Sequence, residues 1–381
     1  MTYPSRRAVL RDRLLPAALG TVALAAGIRP GRALAPEPSA RPFVSLTDFG
    51  ITGRAATDVS TAFQAAIDAA GRDGGGKVVC PPGLIWAKGL VVPNNVTIEG
   101  AGVGATTIKL PDGANTDLIQ QSGYAENKTW GGSYIGLRDL TLDGNKTTNR
   151  HGNLIVLRGW RGLIERVKIT RSPEHGILFS AGSADGTSNP NGMAENAAIG
   201  CFVSECEGAG LYARNDGGQR IADMLVYDCT FHRNGSAGFY QIDLERSAGF
   251  QIRSNKMYNG FRGDIRALGA GGLIIALNNC EGTGNHPENG IARQIYIEMS
   301  GWGHAIITGN LLHIHTKQAY DVRSWRQIEI LANSVTAALV SSNSLSSEFE
   351  GETRPIYVNG PSKAAIVIQG NAISRKGPAP D

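Results

Sequence analysis

Residues 252–278 read IRSNKMYNGFRGDIRALGAGGLIIALN, and one short pattern opens and closes them: Ile252-x-x-Asn255 and Ile275-x-x-Asn278. The same aliphatic-x-x-small-polar signature marks Leu142/Asn145, Ile169/Ser172, Val203/Cys206, Val226/Cys229, Ile307/Asn310, Ile330/Asn333 and Ile368/Asn371. Successive markers from Asn145 to Asn371 lie 27, 34, 23, 26, 23, 32, 23 and 38 residues apart. A shortest spacing of 23 with strand-sized alternation suits a parallel β-solenoid of roughly three short strands per turn. Longer spacings leave room for insertions such as AGSADGTSNPNGMAE, 181–195. Asn suits a repeated corner because it tolerates left-handed backbone and bonds to nearby peptide groups. Stacked copies would form an internal ladder, with Ser172, Cys206 and Cys229 standing in for Asn. The L-x-x-L-x-L pattern of leucine-rich repeats is absent.

The chain has 381 residues, 41% hydrophobic and 18% charged, with 50 glycines. That glycine share is about twice the usual ~7% and points to many tight turns. At the N-terminus, SRRAVLRDRLL precedes the apolar run LLPAALGTVALAAG and then Ala33-Leu34-Ala35. This is the layout of an export signal over residues 1–35, and the Arg6-Arg7 pair resembles a twin-arginine signal. The run is shorter than the ~20 residues a membrane span needs, so the mature chain is expected to be exported and free of the membrane. Residues 1–35 hold six arginines and one acid, which leaves 37 − 6 = 31 basic against 33 − 1 = 32 acidic residues, net −1. No basic footprint for nucleic acid remains. The five cysteines (80, 201, 206, 229, 280) lack metal-site spacing and read as buried thiols.

DVSTAFQAAIDAAGRDGGG (58–76) is the one strong helical stretch, with apolar positions 63, 66, 67 and 70 on one face. A helix there would cover the open end of a solenoid. Two glycine motifs nearby mislead. GAGVGA (100–105) is followed by a strand-like TTIKL rather than a helix, and GRDGGGK (71–77) continues into Val78 where a P-loop needs Ser or Thr.

The segment from Val44 to Ile108, with DFG, the Asp58 helix, GGGKVVCPPG and NVTIEGAG, resembles the opening of the pectate-lyase-like superfamily. LTLDGN (140–145) is similar to the next turn in polygalacturonases, epimerases and phage tailspikes. The resemblance covers roughly 43–375. It implies an all-β, single-stranded right-handed parallel β-helix with an N-terminal capping α-helix. The expected layout is cap and first turns at 36–110, β-helix at 111–375 and a tail at 376–381. The superfamily holds hydrolases, lyases, epimerases and non-catalytic members, so the resemblance leaves the reaction open. Trimers are common in it, which makes a homotrimer the assembly it suggests. SPEHGILF (172–179) resembles the G-H-G element of polygalacturonases, with Glu174 in place of the first Gly and His175 as a minor site candidate. DPHE, expected of mannuronan epimerases, is absent.

Each ladder residue is followed by a strand: GLYAR (210–214), FYQID (239–243), DIRAL (264–268), IYIE (295–298), YDVR (320–323) and IYVN (356–359) among them. Apolar alternation sets two outward columns. One is Tyr212, Gln241, Asp264, Tyr296, Asp321, Tyr357; the other is Arg214, Asp243, Arg266, Glu298, Arg323, Asn359. Turns stack ~4.8 Å apart, which puts Asp264 and Glu298 about 8 Å apart at Cα and Asp243 about 9.6 Å from Glu298. Inverting glycosidases hold their carboxyls ~6.5–9.5 Å apart. The leading expectation is a secreted glycoside hydrolase acting on a polysaccharide. Asp264 and Glu298 form its acid/base pair, Asp243 and Asp321 support them, and Arg214, Arg266, Arg323, Tyr212, Gln241 and Tyr296 bind substrate. It needs no metal or other cofactor. A polysaccharide lyase is the alternative, with Arg266 as base and Ca²⁺ held by Asp243, Asp264 and Glu298. A non-catalytic glycan-binding or surface protein is the third reading.

Overall fold

The computed structural model describes residues 43–375 apart from 55, 73, 130–131, 189, 191, 217–220, 283, 285, 301–302, 316–321 and 350. The expected export signal and the 376–381 tail lie outside the described residues. The described chain is a right-handed parallel β-helix, as expected. A 21-stranded sheet supplies two sides and a ten-stranded sheet the third, and every pairing in both is parallel. Two sides merge because Gly136–Asp143 and Leu163–Thr170 run straight through a corner that later turns break: Leu163–Thr170 pairs with both Ala197–Ile199 and Phe202–Ser204.

Identical side chains stack inside. Ile242, Ile265, Ile295 and Ile328 lie in register on consecutive turns, each with no exposed surface. Burying such a side chain contributes about 1.5–3 kcal/mol. The helix Ser60–Arg72 covers the N-terminal end through Phe63, Ala66, Ile67 and Ala70, the four positions its periodicity predicts. Gln64 on this helix also pairs with an edge: its Nε2 donates to Val91 O (2.9 Å) and its Oε1 accepts from Val91 N (2.8 Å). The first strand of the ten-stranded sheet is thereby denied to another chain.

The ladder is real, but its membership differs from the expectation. It runs Cys201, Cys229, Asn255, Asn278, Asn310, Asn343, Asn371. From Asn255 on, each Asn Oδ1 accepts the backbone N–H of the residue one turn earlier, at 2.9–3.0 Å. Each Nδ2 donates to a main-chain carbonyl of the preceding turn. Cys206 belongs to a different corner, where its N–H donates to Asn234 Oδ1 (3.1 Å), and Asn333 is exposed. Both corners select small polar residues, so a marker pattern alone slides from one to the other. The left-handed residue is the one before the ladder Asn: Ser254, Leu277 and Ser342 have φ of 58°, 58° and 55°. All five cysteines are buried free thiols.

Candidate functional site on the ten-stranded sheet

Register on the ten-stranded sheet decides which side chains meet. Strands Leu211–Arg214, Ile242–Glu245, Ile265–Ala270, Ile291–Met299, Ser324–Ala332 and Glu352–Asn359 follow one another. Their pairing aligns Tyr212, Asp243, Arg266, Tyr296, Glu329 and Tyr357 in one outward column. Two residues further along lies a second column with Arg214, Glu245, Leu268, Glu298, Leu331 and Asn359.

Two residues expected outside are therefore inside. Gln241 and Asp264 align with each other two residues before the outward column, each just ahead of its strand, and both have no exposed surface. They start a row at the third corner that continues with the buried Gln294 and Gln327. Gln241 Nε2 donates to Asp264 Oδ1 (3.0 Å), and Asn234 Nδ2 donates to Gln241 Oε1 (3.3 Å). Asp264 also interacts with the Cys280 thiol. The two glutamines farther along donate to main-chain carbonyls of neighbouring turns. This is a second structural ladder, and Asp264 is a satisfied buried carboxylate rather than an acid facing substrate. The alternation rule fails there because the residue before each strand turns the corner instead of continuing the pleat. Asp264→Asn should accordingly leave folding and activity near wild type, whereas Asp264→Leu should cost about 1–3 kcal/mol by stranding the Gln241 amide. Urea unfolding, with activity normalised to folded protein, reads both.

Asp243 does point outward, but it is covered. Arg266 grips it with two hydrogen bonds, Nε to Oδ1 and Nη2 to Oδ2, each 2.8 Å. Tyr240 N adds a third bond at 3.3 Å, and the Arg266 guanidinium lies 5.6 Å from the Tyr240 ring centre. Burial raises the Asp243 pKa against the pull of Arg266. Glu298 stays on the open face, where its Oε1 accepts from the Asn333 amide at 3.3 Å. Asp243, Asp264 and Glu298 do not converge: one is clamped, one is internal, and Glu298 sits about 12 Å diagonally from Asp243 at Cα. The expected Ca²⁺ cage is not formed by these three. Among the described residues, no group of three or more His, Cys, Asp and Glu side chains gathers as a metal site.

Of the expected strand YDVR, the described Val322 and Arg323 are not in a strand. Asp321 lies outside the described residues, and the strand begins after Arg323, at Ser324. Arg323 is exposed at the sheet's rim. The outward acid on that turn is instead Glu329, which bonds Arg293 and Arg326 together. Arg293, Arg326 and Arg354 align on three consecutive strands beside Tyr296, Glu329 and Tyr357. Arg293 stacks on Tyr296 at 5.1 Å, while Tyr357 lies against Arg326 at 3.9 Å and Arg354 at 5.6 Å. Such stacks combine a flat face with fixed positive charge.

Glu245 is the acid on this face that meets a phenol. Tyr212 Oη donates to its Oε1 at 2.6 Å. Burial and Glu245 both push the Tyr212 phenol pKa far up, so it is a neutral donor. His175 tilts over Tyr212, ring centres 4.4 Å apart, and meets Phe239 edge-on at 4.8 Å. His175 Nδ1 accepts the Ala209 N–H (2.9 Å), which places the ring proton on Nε2. Burial, assisted by the Arg214 charge, lowers its pKa to about 3 and keeps the ring neutral. Arg214 follows Tyr212 by two residues, is paired to Asp216 (2.6 Å), and keeps Nε without a hydrogen-bond partner. Tyr212, Arg214, Glu245 and Arg266 thus share three adjacent strands, a span of about 10 Å. The strand expected at FYQID (239–243) stops two residues short of Glu245; the alternation Ile242, Leu244 would have carried it through.

The fold and this arginine- and tyrosine-bearing face define a parallel β-helix of the pectate-lyase-like class. The profile of the rhamnogalacturonase A/epimerase, pectate lyase-like family matches residues 43–263, and the chain belongs to that family. It is similar to mannuronan C5-epimerase AlgE5 of Azotobacter vinelandii, 43% identical over 112 residues, which are 27% of this chain and 11% of that protein. Alginate lyase 7 of the same organism is 39% identical over 113 residues, 27% of this chain and 13% of that protein. The matches thus span only about a tenth of these relatives' length. Among solved structures, the A-module of Azotobacter vinelandii epimerase AlgE4 is 18% identical, with 88% and 97% of the two chains covered and a TM-score of 0.54. PfbA, a surface adhesin of Streptococcus pneumoniae, is 13% identical, with 88% and 92% covered and the same TM-score of 0.54. An epimerase module and an adhesin match equally well, so these likenesses show the fold alone.

Proposed function

We propose that this chain modifies an acidic polysaccharide on the outer face of the ten-stranded sheet by moving a proton beside the sugar carboxylate. The observation that carries the reading is the 2.6 Å Tyr212–Glu245 hydrogen bond set between Arg214 and Arg266. The two guanidinium charges flank the substrate carboxylate and offset the charge that grows on it. Tyr212 takes the proton at the adjacent carbon while passing its own to Glu245. Delivery of a solvent proton to the opposite face of the same carbon is epimerisation, and giving the abstracted proton to the glycosidic oxygen as its C–O bond breaks is elimination. Relatives named as an epimerase and a lyase support this chemistry, and the missing DPHE directs the substrate away from mannuronan. An exported chain fits a polymeric substrate.

Glycoside hydrolysis is the second reading, with a changed pair. The acid expected at Asp264 is unavailable, but Glu298 and Glu329 sit diagonally on adjacent turns, about 8 Å apart at Cα, inside the glycosidase range. Glu298 bonds the Asn333 amide and Glu329 lies between Arg293 and Arg326, so the two carboxyls have unlike partners. Incubating the protein in D₂O with a panel of acidic and neutral polysaccharides separates the readings. We expect an acidic polymer to gain carbon-bound deuterium, ultraviolet-absorbing unsaturated ends, or both. New reducing ends without either would establish hydrolysis and overturn the proton-transfer reading.

A further inference from the structure

A cleft of about 1040 Å³ opens at the corner where the chain enters the ten-stranded sheet. Three successive turns build it: Arg262 from the first, His286, Asn289 and Gly290 from the second, and Val322 and Arg323 from the third. Turns stack ~4.8 Å apart, so Arg262 and Arg323 stand about 10 Å apart along the helix axis. No carboxylate is among the described residues that line it. The arginines of the neighbouring face are committed: Arg266 to Asp243, Arg293 to Glu288 and Glu329, Arg326 to Glu329 and Arg354 to Glu352. Arg262 and Arg323 have no such acid among the described residues.

Their placement is set by the backbone. Gly290 has a φ of 78°, and a Cβ there would come within 3.1 Å of Arg323 Cδ, so glycine lets the arginine stem cross the loop. Arg262 reaches back over Gly238, where a Cβ would lie 3.5 Å from Nη2. His286 is stacked on Phe261, ring centres 5.1 Å apart and 21° between planes. Two guanidinium forks without an acid partner among the described residues and a stacked imidazole therefore border one cleft at the rim of the sheet. Guanidinium forks match planar oxyanions with paired hydrogen bonds.

We propose that this cleft is an anion-binding subsite that takes a carboxylate-bearing sugar of the polysaccharide chain, separate from the Tyr212–Glu245 pair. The inference rests on the reading that the substrate is an acidic polysaccharide. It is tested by calorimetric titration of wild type, Arg262→Gln/Arg323→Gln and Tyr212→Phe with hexamers of galacturonate and of mannuronate, and with cellohexaose as the neutral control. Both arginines are at the surface, and circular dichroism checks that the double variant folds. Wild type and Tyr212→Phe should bind an acidic hexamer alike, the double variant at least tenfold more weakly, and cellohexaose should not bind. Unchanged affinity in the double variant overturns the subsite while leaving the proton-transfer reading in place. Equal binding of cellohexaose overturns the anionic specificity, and no binding of either acidic hexamer by wild type removes both the subsite and the reading beneath it.

Discussion

Tyr212→Phe should lower the turnover of an acidic polysaccharide by about 10²–10⁴-fold, the usual contribution of a positioned proton-transfer group. The hydroxyl is the only part removed; the ring keeps its contacts with His175 and Phe239. Losing one hydrogen bond should cost stability only about 1 kcal/mol. Glu245→Gln should produce a comparable fall, because the amide still accepts from Tyr212 but no longer takes the proton. The double variant should then be little worse than either single one, since the two act as a unit. The measurement is initial rate on the polymer that takes up deuterium, with unfolding midpoints recorded alongside. Full activity in Tyr212→Phe would move the chemistry to Glu298 and Glu329.

Asn278→Ala should destabilise the protein by about 3–5 kcal/mol, the largest stability loss expected of a single polar substitution on the ladder. Asn278 is 1% exposed and sits mid-ladder. Its Oδ1 accepts from both the backbone N–H and Nδ2 of Asn255 (3.0 Å each), and its Nδ2 donates to Ile252 O and Asn310 Oδ1 (2.9 Å each). Alanine leaves the Asn255 N–H buried without its acceptor and removes a hydrogen bond each from Asn255 Nδ2, Ile252 O and Asn310 Oδ1. The same change at Asn333, which is exposed, should cost under about 0.5 kcal/mol. Denaturant unfolding of the two variants side by side tests which residues form the ladder, since the repeat as read from sequence predicts equal losses.

Much of this architecture was legible without coordinates, and particular residues show why the rest was not. The cap helix was readable because Phe63, Ala66, Ile67 and Ala70 follow a helical period that local geometry imposes. The inward row Ile265, Ala267, Ile295, Ile297 was readable because burial forces strict alternation. Pairing between turns was not. Shifting one turn by two residues preserves every inward apolar contact type, so Tyr212 was aligned with Gln241 rather than Asp243, and Arg266 with Glu298 rather than Tyr296. Insertions between turns carry no register signal, and the strand around Glu329 was displaced entirely to residues 320–323.

The sequence by itself determined a parallel β-helix, its helical cap, its buried thiols and the sheet that bears the acids, arginines and tyrosines. Those features follow from periodicity and burial, which act within one turn of chain. Only the tertiary structure decided that Asp264 is a ladder residue, that Asp243 is locked by Arg266, and that Tyr212 meets Glu245. These outcomes depend on hydrogen-bond register between turns 20 to 40 residues apart, and on corners where alternation lapses. A carboxylate's partners across that gap set whether it is a strut or a reagent.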